Sequence, residues 1–251
     1  PLGFLQDFYV TGGFDNEGRA GCDTDFGPEG AAVDLKALYP TQAREVGWRK
    51  PHAKSVDGYV DLSLAIKPNT QAVAYALNWL HADAETRVLL SLGVSGGTRL
   101  FVNGQKVLSS DRYNLHRVDQ HQVQVNLRKG MNRILIKVCQ QSGPLGFYAR
   151  VEKLEGRLGV VTVALPEVAP ALEKGVGAQP QVQPSLTETL EKRLKAAPAD
   201  ATLRAEYATV LAFSRAYPDS EHLPDMEAER AALQLASNVE LQLIAAQLHA
   251  N

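Results

Sequence analysis

Leu100-Phe101-Val102-Asn103-Gly104-Gln105-Lys106-Val107-Leu108 places two short apolar runs around an Asn-Gly pair. Asn-Gly accepts positive φ at both central turn positions, which a two-residue hairpin needs. The same grammar extends outward. Gly96-Gly97 separates this hairpin from an apolar run over 88–94, and Lys129-Gly130-Met131-Asn132 parts two more runs. Alternation with period 2 recurs in Val123-Gln124-Val125-Asn126-Leu127, over 134–138 and over 147–151. In 73–80 the large residues fall on odd positions, so Trp79 shares a face with Tyr75 and Leu77 and reads as core. About eight or nine short, closely spaced strands predict an antiparallel sandwich or barrel rather than βαβ units.

Beyond residue 154 the pattern changes. Residues 155–185 are rich in Val, Ala, Pro, Gly and Gln, ending Gly175-Val176-Gly177-Ala178-Gln179-Pro180-Gln181-Val182-Gln183-Pro184, and read as a linker. Leu186, Leu190 and Leu194 then mark one helix face. Pro198-Ala199-Asp200 opens a helix carrying Leu203, Tyr207 and Leu211, and further helices are expected after Pro224-Asp225 and Ser237-Asn238. Asp200-Ala201-Thr202-Leu203 aligns with Asn238-Val239-Glu240-Leu241, a period of roughly 38 residues, in the range of helix-pair repeats. The expected organisation is a β domain over 1–154, a linker over 155–185, and helical repeats over 186–251 that stop inside their second unit. The fold class is an all-β sandwich followed by an all-α region.

Bulk properties bound the function. The 251 residues are 45% hydrophobic and 22% charged, with net charge −2. No basic field exists to collect phosphates, which argues against nucleic acid as a partner. No apolar run reaches the ~20 residues of a membrane span. The start, Pro1-Leu2-Gly3-Phe4, lacks an initiator Met and a signal-peptide pattern, so the chain reads as part of a larger polypeptide. Two cysteines, Cys22 and Cys139, are too few for a disulfide scaffold. They could pair or both be free. Cys139, inside an apolar run, reads as a buried structural thiol.

The order of motifs in the first 154 residues resembles galactose-binding-like jelly rolls, the carbohydrate-binding-module kind. The resemblance rests on Val10-Thr11-Gly12-Gly13-Phe14-Asp15-Asn16, Gly47-Trp48-Arg49, Asp57-Gly58-Tyr59-Val60-Asp61-Leu62, the Asn103-Gly104 hairpin, Lys129-Gly130-Met131-Asn132 with Lys137, and Gly146-Phe147-Tyr148-Ala149-Arg150. Where relatives often carry an acidic residue before the hairpin, this chain has Val94-Ser95-Gly96-Gly97. The last third loosely resembles tetratricopeptide repeats. Together these imply a module of the kind that accompanies bacterial glycoside hydrolases and large envelope proteins with transglutaminase-like regions, in the periplasm or at the cell surface, with the cytoplasm left open.

Catalytic patterns are missing from the sequence. The histidines form no H-E-x-x-H spacing; His116 and His121, flanking Arg117-Val118-Asp119-Gln120, read as a solvated loop before a strand. There is no G-x-S-x-G elbow, no Walker loop, and nothing local to activate the Cys22 thiol. No cofactor is expected, with a structural calcium as the one candidate. Asp15, Asp23, Asp25 and Glu29 crowd a Gly-containing loop, oxygen ligands that suit Ca²⁺. The competing reading is turn chemistry, in which Asp bonds its own backbone. A sugar site needs an aromatic platform and polar grips. Trp48 in a loop-like segment and Arg112-Tyr113-Asn114 in a long polar connection are the candidates carried forward, chosen over Tyr59, Arg99 and Tyr148. The expected function is a non-catalytic binding or scaffolding module for a glycan or a protein partner. The alternatives are an accessory region of a larger hydrolase or transglutaminase-like enzyme, and a structural assembly subunit of the envelope.

Overall fold

The structure is a computed structural model that describes residues 3–30, 32–51, 58–113, 116, 118–153, 160–162, 165–170, 180–184 and 186–213. The chain divides into two compact units, Pro1–Gln183 and Pro184–Asn251.

The first unit is a β-sandwich. Its strands are β1 (Tyr9–Asp15), β2 (Leu38–Pro40), β3 (Glu45–Gly47), β4 (Val60–Asp61), β5 (Ala72–Ala82), β6 (Thr86–Val94), β7 (Gly97–Val102), β8 (Gln105–Ser110), β9 (His121–Leu127), β10 (Gly130–Gln140), β11 (Gly146–Lys153), β12 (Val160–Thr162) and β13 (Gln181–Gln183). One sheet runs β1-β5-β10-β7-β8, with β12 also on β5; the other runs β13-β9-β6-β11-β4. All their pairings are antiparallel. From β4 to β11 the chain repeatedly crosses between the sheets, the habit of a jelly roll. The hairpin reading holds: Asn103 and Gly104 take φ of 52° and 84° between β7 and β8. Asn132 explains the second turn. Its Oδ1 accepts from Arg128 N at 3.1 Å while its Nδ2 donates to the Arg128 carbonyl at 2.8 Å. Asn103 Nδ2 donates to the same Oδ1 at 2.9 Å, which joins the two hairpins at one end of the sandwich.

β5 is buried throughout except at His81, because both its faces are covered. Its small even-numbered residues, Ala74, Ala76 and Ala82, face the core between the sheets with Leu80. Its large odd-numbered residues, Val73, Tyr75, Leu77 and Trp79, lie in a second core on the outer side of that sheet. Residues of 22–30 and 32–48, including the β2–β3 hairpin, together with Leu165 and Ala169, roof this second core.

Two findings differ from the sequence reading. Cys22 and Cys139 form a disulfide, so Cys139 is not a free buried thiol. Their separation of 117 positions hid the pairing, and β10 simply runs beneath the loop that carries Cys22. The stretch over 155–185 supplies β12 to one sheet and β13 to the other. Strands of three residues are too short to show a period. In the second unit α1 (Leu186–Ala196) and α2 (Ala201–Phe213) pack through Leu190, Leu203 and Tyr207, with Asp200 Oδ1 capping the Leu203 amide at 3.0 Å. This is one helix pair. The expected helices after Pro224 and Ser237, and the repeat alignment with them, lie outside the described residues.

Candidate functional site at the loop end of the sandwich

Every crossing loop near Gly96 lies at one end of the sandwich: β6–β7, β8–β9, β10–β11 and the approach to β4. The β8–β9 connection passes there from one sheet to the other. Tyr59, just before β4, stacks on His116 from that connection, with centroids 4.3 Å apart and planes at 24°. Tyr148 of β11 flanks both, 5.2 Å from Tyr59 and 5.5 Å from His116. Phe4 extends the row, 5.8 Å from Tyr148. All four rings are half-buried, so each keeps some surface for solvent.

Two glycines make this row sterically possible. A Cβ at Gly146 would lie 2.4 Å from the Tyr59 hydroxyl oxygen. A Cβ at Gly58, where φ is +90°, would lie 2.5 Å from the Phe4 ring. The glycines of Gly58-Tyr59 and Gly146-Phe147-Tyr148 thus leave room for the Phe4 and Tyr59 rings.

Polar groups fix the rings and border them. Ser95 Oγ, 2% exposed, sits 2.6 Å from His116 Nδ1. This contact fixes the orientation of the imidazole. Gln120 Oε1 accepts from the Val94 amide at 3.1 Å, tying the loop to the end of β6. Asp119, in the left-handed region at φ 60°, receives Arg150 through Nε at 2.5 Å and through a second guanidinium nitrogen. The third nitrogen of Arg150 meets Glu152 at 2.6 Å. Hydrogen bonding to Asp119 holds the guanidinium above its ordinary pKa, so this group stays charged.

The residues carried forward from the sequence fall elsewhere or apart. Trp48 is half-buried in the second core and donates from Nε1 to the Tyr39 hydroxyl at 3.1 Å. A Cβ at Gly97 would lie 3.4 Å from the Tyr113 hydroxyl oxygen and 2.9 Å from Cys22 Sγ, so Tyr113 sits near the disulfide. Asn16 Nδ2 donates to its hydroxyl at 3.4 Å, and the Arg19 guanidinium lies 4.4 Å over its ring. Burial pushes the Tyr113 phenol pKa up. The Arg112 amide donates to Ser110 Oγ at 3.3 Å. Asn114 lies outside the described residues.

The calcium candidates do not converge. Asp15 and Asp25 accept the amides two residues on, at 3.2 and 2.7 Å, the turn chemistry weighed against calcium. Asp23 shares the buried Arg99 guanidinium with Asp111, each at 2.7 Å. Glu29 accepts from Lys137 at 2.7 Å and from the Tyr75 hydroxyl at 2.8 Å. Among the described residues no group of three or more His, Cys, Asp or Glu side chains could hold a metal ion. Each of these carboxylates already accepts a bond within the protein.

No protein-family model matches the chain, and no curated protein does. Solved structures do. A β-glucosidase from Kluyveromyces marxianus is 14% identical with a TM-score of 0.32, over 50% of this chain and 20% of that one. A family 35 carbohydrate-binding module from an environmental isolate is 15% identical with a TM-score of 0.33, over 66% and 95%. An anti-sigma factor domain-containing protein from Clostridium clariflavum is 12% identical with a TM-score of 0.38, over 68% and 50%. The chain thus spans a fifth of the first and half of the third.

Proposed function

We propose that the sandwich is a glycan-binding module with no catalytic step of its own, and that its site is the ring row Tyr59–His116–Tyr148 at the loop end. The observation that carries this reading is the row itself: stacked aromatic rings, part-exposed, bordered by Arg150, Asp119 and Glu152. Sugar rings present C–H faces that stack on aromatics, while polar groups at the border grip hydroxyls. The sugar therefore takes the outer face of Tyr148 or Tyr59. Trp48 and Tyr113, tied to other partners, are spectators in this proposal.

The wider setting is part of the same proposal. The module acts as an accessory region of a larger polypeptide, and the helix pair beyond Gln183 begins a protein-contacting, tetratricopeptide-like array. The Cys22–Cys139 bridge supports an oxidising compartment, the periplasm or cell surface. The test is thermal unfolding of the full chain against a panel of neutral and acidic oligosaccharides. A sugar at about 100-fold its Kd adds about 2.7 kcal/mol to the folded state and raises the midpoint. That rise disappears in Tyr148→Ala. No shift with any sugar would set the glycan reading aside.

A further inference from the structure

We infer that the Cys22–Cys139 bridge positions the ring row, so that the loop-end site takes shape only in the oxidised chain. This deepens the reading of Tyr59–His116–Tyr148 as the site and rests on it. The bridge joins the loop after β1 to the end of β10, and its two cysteines are 3% and 0% exposed. Two contact paths lead from it to the rings.

The first path runs through the β6–β7 turn. Gly97 pairs with Cys139 across β7 and β10. It also packs against the other sulfur, since a Cβ at Gly97 would lie 2.9 Å from Cys22 Sγ. Gly96, in the left-handed region at φ 101°, sits so close to the Cys139 carbonyl that a side chain would overlap it. Ser95 comes next. Its Oγ lies 2.6 Å from His116 Nδ1, and His116 stacks on Tyr59. The second path runs through the β10–β11 turn. Gln140, beside Cys139 and 3% exposed, donates from Nε2 to the Ser142 carbonyl and to the Pro144 carbonyl, the latter at 2.8 Å. The Leu145 carbonyl then accepts from the Leu62 amide at 2.9 Å. Gly146 pairs with Asp61 and leaves room for the Tyr59 hydroxyl. Both paths end on Tyr59.

Two thiols need more room than two bonded sulfurs. Without the bond the cysteines separate, and Gly97, already against Cys22 Sγ, moves with them. A close-packed interior transmits such a shift. The strand pairings do not involve the sulfurs, so a chain with both thiols keeps its sheets and lacks the set row. Forming the bridge is a balanced exchange. The two thiols give two protons and two electrons to a low-molecular-weight disulfide, which leaves as two thiols.

Proton NMR of the six histidine imidazoles in the full chain tests this. It uses no sugar, so a failed sugar panel leaves its result standing. His116→Gln and His81→Gln assign the two signals needed. Tyr59 and Tyr148 flank His116 and displace its signal through their ring currents. His81 is the control, about 27 Å along β5 from Val73, the partner of Cys139. Reduction by dithiothreitol, confirmed by intact mass, should abolish the displacement of His116. His81 and the far-ultraviolet circular dichroism should not change. An unmoved His116 signal in the reduced chain overturns the inference. So does an equal movement of His81, which would mean general loosening. If reduction unfolds the chain, Gly97→Ala with the bridge intact decides. Its methyl meets Cys22 Sγ, so His116 should move while His81 stays, and an unmoved His116 there overturns the inference.

Discussion

Three buried interactions set what single residues can tolerate. Lys137 is 1% exposed and rests on Glu29, the Thr24 carbonyl and the rings of Phe26 and Tyr75. Burial lowers its pKa, and Glu29 opposes that shift. Removing one partner of such a pair strands a charge in apolar surroundings. Glu29→Gln should therefore cost about 3–5 kcal/mol in urea unfolding, and adding Lys137→Met should recover part of the loss. Arg99 is the second case, held between two exposed carboxylates. The hydrogen bond from Arg99 lowers the Asp23 pKa below its ordinary 3.8. The unfolded chain then binds more protons than the folded one, so this contribution is present above pH 3.8 and is lost as pH falls through the lowered value. Urea midpoints measured from pH 7 to 3 should fall less steeply in Asp23→Asn than in the parent. The third is the disulfide. Reduction releases a loop of 117 residues, which should cost about 4–5 kcal/mol if the loop-entropy account holds. A midpoint unchanged by reductant would contradict it.

At the scale of elements, the legible parts are those with a period or a turn signature. Asn103-Gly104, the Gly130-Asn132 turn and the alternating runs of β9, β10 and β11 all stand in the folded chain. The core role of Trp79 also stands, though its face packs beneath the roof rather than between the sheets. β12 and β13 carried no signal, because three residues cannot express alternation and their partners lie far along the chain. The ring row failed to stand out for a related reason. Tyr59, His116 and Tyr148 are scattered over three elements, and only register and a crossing loop bring them together. Gly146 is the element-scale test. Gly146→Ala would drive a methyl into Tyr59, so it should lower sugar affinity several-fold while far-ultraviolet circular dichroism still reports the sandwich.

At the scale of the molecule, the sandwich is completed by residues well past its last long strand. β12 continues the line of β1 along β5, the Leu165 segment joins the roof over Trp79, and β13 covers part of the β9 edge. A chain ended at residue 154 should melt several degrees below one ended at Gln183, read by calorimetry. Equal midpoints would mean that these late segments add nothing to the fold. The central claim is that the ring row at the loop end, rather than Trp48, meets the ligand. The most direct measurement is titration calorimetry of the tightest oligosaccharide from the panel against Tyr148→Ala and Trp48→Ala in the full chain. The account predicts at least a tenfold weaker Kd for Tyr148→Ala and an unchanged Kd for Trp48→Ala. Unchanged binding in Tyr148→Ala with a loss in Trp48→Ala would contradict it.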